Sequence, residues 1–312
     1  MFVAVTGAGG FVGRHLVRAL LDAGCTVIAS DTHFDPDLRH EWAGIEGHRL
    51  RMVEAAVSEL PPVALDALVH AAALTASPEE VGHSPVANLR ANLDPFFDAV
   101  EWAQQNGARR TIAISSSAVF RQSAPGPLRD AQPPQPLGTY AVAKSAIEYT
   151  AETLRQCHEL DVLAVRLGSI YGPGEATRVS RPRVSGVQTM IDEALQTGTI
   201  TVTRPDDRRD WTFAPDVGRA IVSLAQAERL NHALYNVSSG ETLTDLQLAQ
   251  AIQVHLPRTE ITIQPEPGAL NVRAGTLVSD RLHQDTGFAD WTNFVDGVGH
   301  MIAAHTRLDM SS

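Results

Sequence analysis

The stretch Phe2-Val-Ala-Val-Thr-Gly-Ala-Gly-Gly-Phe-Val-Gly13 decides how the rest of the chain is read. Phe2 to Val5 is short, apolar and ends near glycine, as a buried strand does. From Arg14 to Ala23, the residues Leu16, Val17, Leu20 and Leu21 fall on one helical face. The loop therefore joins a strand to a helix. Glycines at 7, 10 and 13 permit a sharp turn, close approach of a pyrophosphate to the main chain, and tight packing of helix on strand. The helix N-terminus adds free N–H donors and a favourable dipole. An anionic dinucleotide is the expected occupant, held by Gly7, Gly9, Gly10, Phe11, Val12 and Gly13.

Further along, Thr26 to Ser30 reads as a second strand ending at Asp31. An acid about 20 residues past such a loop accepts hydrogen bonds from the adenosine ribose of NAD and repels the 2′-phosphate of NADP. Thr32 and His33 bring no arginine to reverse that preference. Leu65 to Ala73 is an apolar strand whose small final residues, Ala71, Ala72 and Ala73, let the backbone pass close to a dinucleotide. Thr111 to Phe120 is another buried strand, delivering Ser115, Ser116 and Ser117 at the carboxyl end, where open parallel sheets bind ligands. Tyr140 and Lys144 follow at helical spacing, on one face a turn apart. The chain has 24 arginines and this one lysine. A free tyrosine, with a pKa near 10, is too weakly acidic to serve as a base at neutral pH. A cation about 4 Å away at an effective dielectric near 20 favours the phenolate by up to about 4 kcal/mol, roughly three pKa units.

The run Thr6-Gly-x-x-Gly-x-x-Gly13, the serine triplet and Tyr140-Ala-Val-Ala-Lys144 together resemble the short-chain dehydrogenase/reductase superfamily. The turn Arg166-Leu-Gly-Ser-Ile-Tyr-Gly-Pro173 resembles its extended branch, the NAD-dependent epimerase/dehydratase family, and the likeness runs along the whole chain. It implies an α/β fold with a doubly wound parallel sheet of Rossmann type and a smaller C-terminal α/β substrate domain. The NAD-binding domain is expected at 1–170 with 210–240, and the substrate domain at 171–209 with 241–312.

The resemblance also implies roles for particular residues. Counting back from Val119 places the catalytic hydroxyl at Ser116, with Ser117 as the alternative; Tyr140 is the base, and Lys144 lowers its pKa and holds the nicotinamide ribose. Phe120 replaces the usual tyrosine beside the substrate and is a specificity candidate. Dehydratases carry an Asp-Glu pair after the catalytic hydroxyl; Ser117-Ala118 stands here, so dehydration is not expected. Ala56 falls where an aspartate usually meets adenine, leaving Ala56 and Val57 to line that site through backbone. Asn92 is either the family's structural asparagine near the cofactor or an ordinary solvated side chain. His70 is structural. Ser169 stands where many nucleotide-sugar enzymes have asparagine. Arg209, in Arg209-Asp-Trp-Thr-Phe213, and Arg273 match substrate-binding arginines. Thr75 and Arg178 complete the substrate candidates. Arg178 belongs to a basic island with Arg181, Arg183, Arg204, Arg208 and Arg209, which suits phosphates or carboxylates or simply solvates the surface.

Composition sets the outer bounds. A formal charge of −11 argues against nucleic acid as a partner, since that needs a basic face. Cys25 and Cys157 have neither metal-ligand spacing nor a disulfide framework, so no metal is expected and a reducing compartment is. No leader or membrane-length apolar run is read, which predicts a soluble cytoplasmic protein acting on a small sugar-type molecule. The resemblance suggests a homodimer through helices near 86–106 and 140–157, although a monomeric core needs apolar helix faces too. Three activities stay open: an NAD-dependent epimerase of a sugar or nucleotide-sugar, a net dehydrogenase or reductase of a sugar acid, lactone or small hydroxy compound, and a non-catalytic dinucleotide sensor.

Overall fold

The structure is a computed structural model that describes residues 1–45, 47–121, 126–266 and 275–309. Its first half alternates strand and helix: β1 (Phe2–Thr6), α1 (Phe11–Asp22), β2 (Thr26–Asp31), α2 (Pro36–Ala43), β3 (Leu50–Glu54) and β4 (Ala67–His70). The single turn α3 (Pro78–Val81), the long α4 (Pro85–Gln105), β5 (Arg110–Ser116), the two-residue β6 (Pro127–Leu128), α5 (Thr139–His158) and β7 (Val162–Leu167) follow. Beyond them come β8 (Ser169–Tyr171), α6 (Gly186–Thr197), β9 (Thr199–Val202), β10 (Arg208–Phe213), α7 (Ala214–Gln226), β11 (Leu234–Val237) and β12 (Thr242–Thr244). The chain closes with α8 (Asp245–His255), β13 (Glu260–Ile263), β14 (Thr276–Leu277), α9 (Asp280–Thr286) and α10 (Phe294–Asp309).

Seven strands form one parallel sheet in the order β11-β7-β5-β4-β1-β2-β3, the doubly wound arrangement expected. Both faces of such a sheet are covered, so its strands are apolar throughout rather than alternating with polar residues. β1 shows this: Val3 and Val5 point into one core cluster and Ala4 into the other, all fully buried. The strand order reverses between β1 and β4, and ligands of these sheets bind outside the carboxyl ends at that switch. Gly7 and Ala71 lie there, with Ala71 N–H donating to Thr6 O at 2.9 Å.

On α1, Leu16, Val17, Leu20 and Leu21 are buried as their spacing predicted, each contributing roughly 1.5–3 kcal/mol relative to exposure. Helix α7 packs across α1 so closely that a Cβ on Gly218 would lie 2.7 Å from His15 O. Helix α4 does not turn all of its large apolar residues inward. Leu89 and Leu93 are only partly buried and Phe97 is exposed, while Asn88 and Asn92 face inward one turn apart. Buried amides are tolerated when satisfied. Asn88 Nδ2 donates to Ala76 O at 3.2 Å, and Asn92 bonds both the N–H and the C=O of Leu74, so the helix clamps the chain leaving β4.

A second core collects the C-terminal elements. Strands β12, β10 and β8 form a three-stranded sheet, and β13 pairs with β9. Val187, Ile191, Trp211, Phe213, Leu248 and Phe294 meet around Tyr171, whose ring centroid is 4.7 Å from that of Phe294. Among the described residues, no helix is long and apolar enough to cross a membrane.

Candidate active site

Ser116 ends β5, so its side chain emerges at the carboxyl edge of the central sheet. Tyr140 is the second residue of α5, which starts after Gly138 in the left-handed region at φ 87°. Lys144 follows one turn on. These three line a single cleft of about 540 Å³, together with Gly10, Phe11, Gly13, Ala71, Ala73, Ser169, Arg209 and Trp211. The Tyr140 and Ser116 hydroxyls are hydrogen-bonded. Lys144 Nζ donates to Ile114 O at 2.7 Å and lies 5.7 Å from the centroid of the Tyr140 ring.

Burial governs the electrostatics. Desolvation lowers the Lys144 ammonium to about 8, opposed by the charge of Glu148. The Tyr140 phenol is held above its ordinary value, chiefly by burial, with the Ser116 hydrogen bond and the charge of Arg181 pulling it down. This corrects the expectation that Lys144 would leave it depressed: in the resting site desolvation outweighs the neighbouring charges. His70, fully buried against Thr6 Oγ1 at 2.8 Å, is lowered to about 3 by desolvation and the charge of Lys144, so it stays neutral.

The glycine turn fits a dinucleotide. A Cβ on Gly7 (φ +70°) would lie 2.4 Å from Ala72 N, and one on Gly13 would lie 2.0 Å from Gly7 O. The backbone is thus pressed against itself on the sheet side. α1 begins at Gly10 with no side chain capping it, so its first N–H groups remain for an anion. Asp31 Oδ2 accepts the Gly9 N–H at 2.9 Å, tying the acid at the end of β2 to the turn. Ala56 and Val57 follow β3, whose Glu54 is in register with Asp31 at the far edge of the sheet.

Several expected contacts are relocated. Asn92 does not face the cleft; its amide is fully used on Leu74 and Asn88. Phe120 is buried with Val119, Leu128 and Leu277, under the Arg166 guanidinium at 4.6 Å, so it packs a core rather than touching substrate. Ser117 sits in a 3-10 turn beside the cleft and does not line it. Thr75 lines the cleft, but its hydroxyl donates to Ser180 O at 3.0 Å. Arg178, expected at the substrate, stands at the opposite end, 3.8 Å from Asp31. Arg273 lies outside the described residues. Ser169 and Arg209 do line the cleft.

Other participants were not singled out by the sequence. Ser115 Oγ donates to Glu148 at 2.6 Å, and Glu148 takes Arg166 through two nitrogens at 2.9 and 2.7 Å. This buried set supports the strand end that carries Ser116. Asp245, at the start of α8, faces the cleft near Arg209, and burial raises it to about 6 against the charge of Arg209. Arg181 reaches over the Phe11 ring at 4.9 Å and pairs with Glu175. The arginine island gave a general signal for Arg181; nothing local marked Asp245.

The sequence profile of the NAD dependent epimerase/dehydratase family matches residues 3–238, from β1 to the end of the seven-stranded sheet. The chain belongs to that family. Its members are NAD dependent, and NAD is the dinucleotide that the turn fits. Among curated relatives, a dTDP-4-dehydro-6-deoxy-D-allose reductase of Streptomyces bikiniensis is 28% identical over 85% of this chain and 84% of its own length. A UDP-glucose 4-epimerase of Mycolicibacterium smegmatis is 27% identical, with 97% of each chain covered. A solved structure described as MoeE5 in complex with UDP-glucuronic acid and NAD is 25% identical, with a TM-score of 0.81 over 99% of this chain and 100% of that one. Epimerases, reductases and a decarboxylase all occur among the relatives.

Proposed function

We propose that this family member is an NAD-dependent epimerase acting at a secondary alcohol of a nucleotide-sugar. The observation that carries the reading is the convergence of Ser116, Tyr140 and Lys144 in the cleft that begins at the glycine turn. NAD, when bound, supplies the hydride acceptor. Tyr140 takes the proton of the sugar hydroxyl, and Ser116, already hydrogen-bonded to that phenol, orients the same oxygen. The Lys144 cation, in the same cleft, favours the phenolate form of Tyr140 that accepts this proton. Gly7, Gly9, Gly10 and Gly13, with Phe11 and Val12, would cradle the pyrophosphate; Asp31 would hold the adenosine ribose, with Ala56 and Val57 near adenine and Ala71 to Ala73 beneath the dinucleotide. Ser169 and Arg209 would face the sugar nucleotide.

An epimerase keeps its cofactor through the cycle, and the segment after β8 supports this. It crosses the cleft and is fastened on both sides: Arg14 Nη1 donates to Gly174 O at 2.7 Å, and Thr75 N–H donates to Ser180 O at 2.9 Å. A net reductase is the second reading, favoured by the carboxylates of Asp207 and Asp245 around Arg209, which reduce the positive charge offered to a diphosphate. We also propose a homodimer through α4 and α5.

The deciding experiment supplies NAD and a panel of UDP-, dTDP- and GDP-sugars, following sugar configuration and nicotinamide absorbance together. Catalytic inversion without net NADH is expected, and Tyr140→Phe should slow it by at least about 100-fold. Stoichiometric NADH production or consumption would select the second reading. Undiminished turnover by the phenylalanine variant would sink both.

A further inference from the structure

Asp31 closes β2, and the residues after it, Thr32 and His33, contribute no guanidinium. The fold supplies one from elsewhere. Arg178, on the segment that crosses the cleft, places Nη1 3.8 Å from Asp31 Oδ2 and donates Nη2 to His33 O at 3.2 Å. It therefore sits on the loop that borders the 2′-oxygen of an adenosine ribose held by Asp31.

The position is built rather than incidental. Arg178 and Arg181 exchange two backbone hydrogen bonds of 2.9 Å, making a small loop that presents Arg178 to one side and Arg181 to the other. That loop is held to the sheet by Thr75, whose N–H and hydroxyl both donate to Ser180 O. The Arg178 side chain is 25% exposed and that of Asp31 14%, so their interaction is only partly screened. The second acid of this corner, Glu54, is paired with Arg39 and lies 3.4 Å from His33 Nδ1. Two carboxylates are thus matched by two guanidiniums. An unpaired Asp31 would repel a 2′-phosphate; here a guanidinium suited to phosphate stands within reach and offsets part of that charge.

We propose that Arg178 is a cofactor-specificity residue that makes the adenosine end of the cleft tolerant of a 2′-phosphate, so that the protein binds NADP as well as NAD. The proposal rests on the dinucleotide seat at the glycine turn, and goes beyond the sugar chemistry to the choice of cofactor. It moves Arg178 from the substrate to the nucleotide end of the site.

The test is equilibrium binding of NAD+ and NADP+, by calorimetry, to the full chain and to Arg178→Ala. The wild type should bind NADP+ within about tenfold of NAD+, and Arg178→Ala should weaken NADP+ by at least about tenfold while changing NAD+ by less than about threefold. Exclusion of NADP+ by the wild type beyond about 100-fold would overturn the proposal. Equal weakening of both nucleotides would overturn it too, since Arg178 would then hold a part they share. Failure of the wild type to bind even NAD+ would strike the dinucleotide seat itself, an outcome the NAD+ titration separates from a failure confined to the 2′-phosphate.

Discussion

Lys144 carries two opposed demands. The proposed catalysis requires its charge beside Tyr140, yet the side chain is 1% exposed and burial lowers it from an ordinary 10.5 to about 8. That shift corresponds to a cost of roughly 3 kcal/mol for keeping the ammonium charged at neutral pH. The hydrogen bond to Ile114 O returns about 1–3 kcal/mol. Lys144→Met, of similar length and without charge, should therefore lose at least about 100-fold in turnover while melting no lower than wild type at neutral pH. The pH dependence has a definite sign. Between about 8 and 10.5 the unfolded chain binds more protons at this residue than the folded one, so wild-type stability relative to the variant rises with pH across that window. Below about 8 the difference is flat. Thermal melts of both proteins across that window check this; a variant much less stable at neutral pH, with no trend above it, would show that the buried ammonium is not a burden.

At the scale of the element, the turn from β1 into α1 separates two uses of glycine. Gly13 is needed by the fold: a Cβ there would lie 2.0 Å from Gly7 O, backbone that cannot move without parting helix from strand. Gly10 is less crowded, its one close neighbour being the backbone oxygen of Gly7, 3.1 Å from an added Cβ, and it caps the helix where the pyrophosphate is expected. Gly13→Ala should lose at least about 2 kcal/mol of stability and NAD+ binding with it. Gly10→Ala should stay folded, yet bind NAD+ about tenfold more weakly because its methyl group, set against Gly7 O, shifts the turn that is to hold the phosphate. Denaturant unfolding and NAD+ titration on the two variants check the separation. Helix α4 shows the same division of labour: its outward face carries Val86 and Phe97 at 64% and 45% exposure, while its inward face contributes Asn88 and Asn92 as clamps on the chain leaving β4.

For the whole molecule, those outward residues of α4 lie beside α5, which exposes Val142 and Tyr149 at 42% and 56%. The two helices pack against each other, so the four side chains belong to one side of the sheet. If this side pairs with a second copy, light scattering will give twice the 33.6 kDa chain mass. Phe97→Glu combined with Tyr149→Glu should then give a monomer that still binds NAD+. A wild type that scatters as a single chain would exclude the dimer.

Local chemistry made much of this legible from the residues. Strand-turn-helix at 2–23 and the spacing of Tyr140 from Lys144 follow from short-range rules of turn geometry and helical repeat, which need no knowledge of distant chain, and the parallel sheet was implied by the family those stretches resemble. The family followed from those same stretches. Tertiary packing decided what shares a volume with what. Phe120, beside the serines in sequence, turns under Arg166 into a core; Asn88 and Asn92 displace the leucines of their helix; and Arg178, 147 positions after Asp31, comes to stand beside it. Each depends on how the segment after β8 and the C-terminal elements close over the sheet. Two side chains far apart in the chain acquire their distance, their burial and so their charge state when that closure excludes water between them.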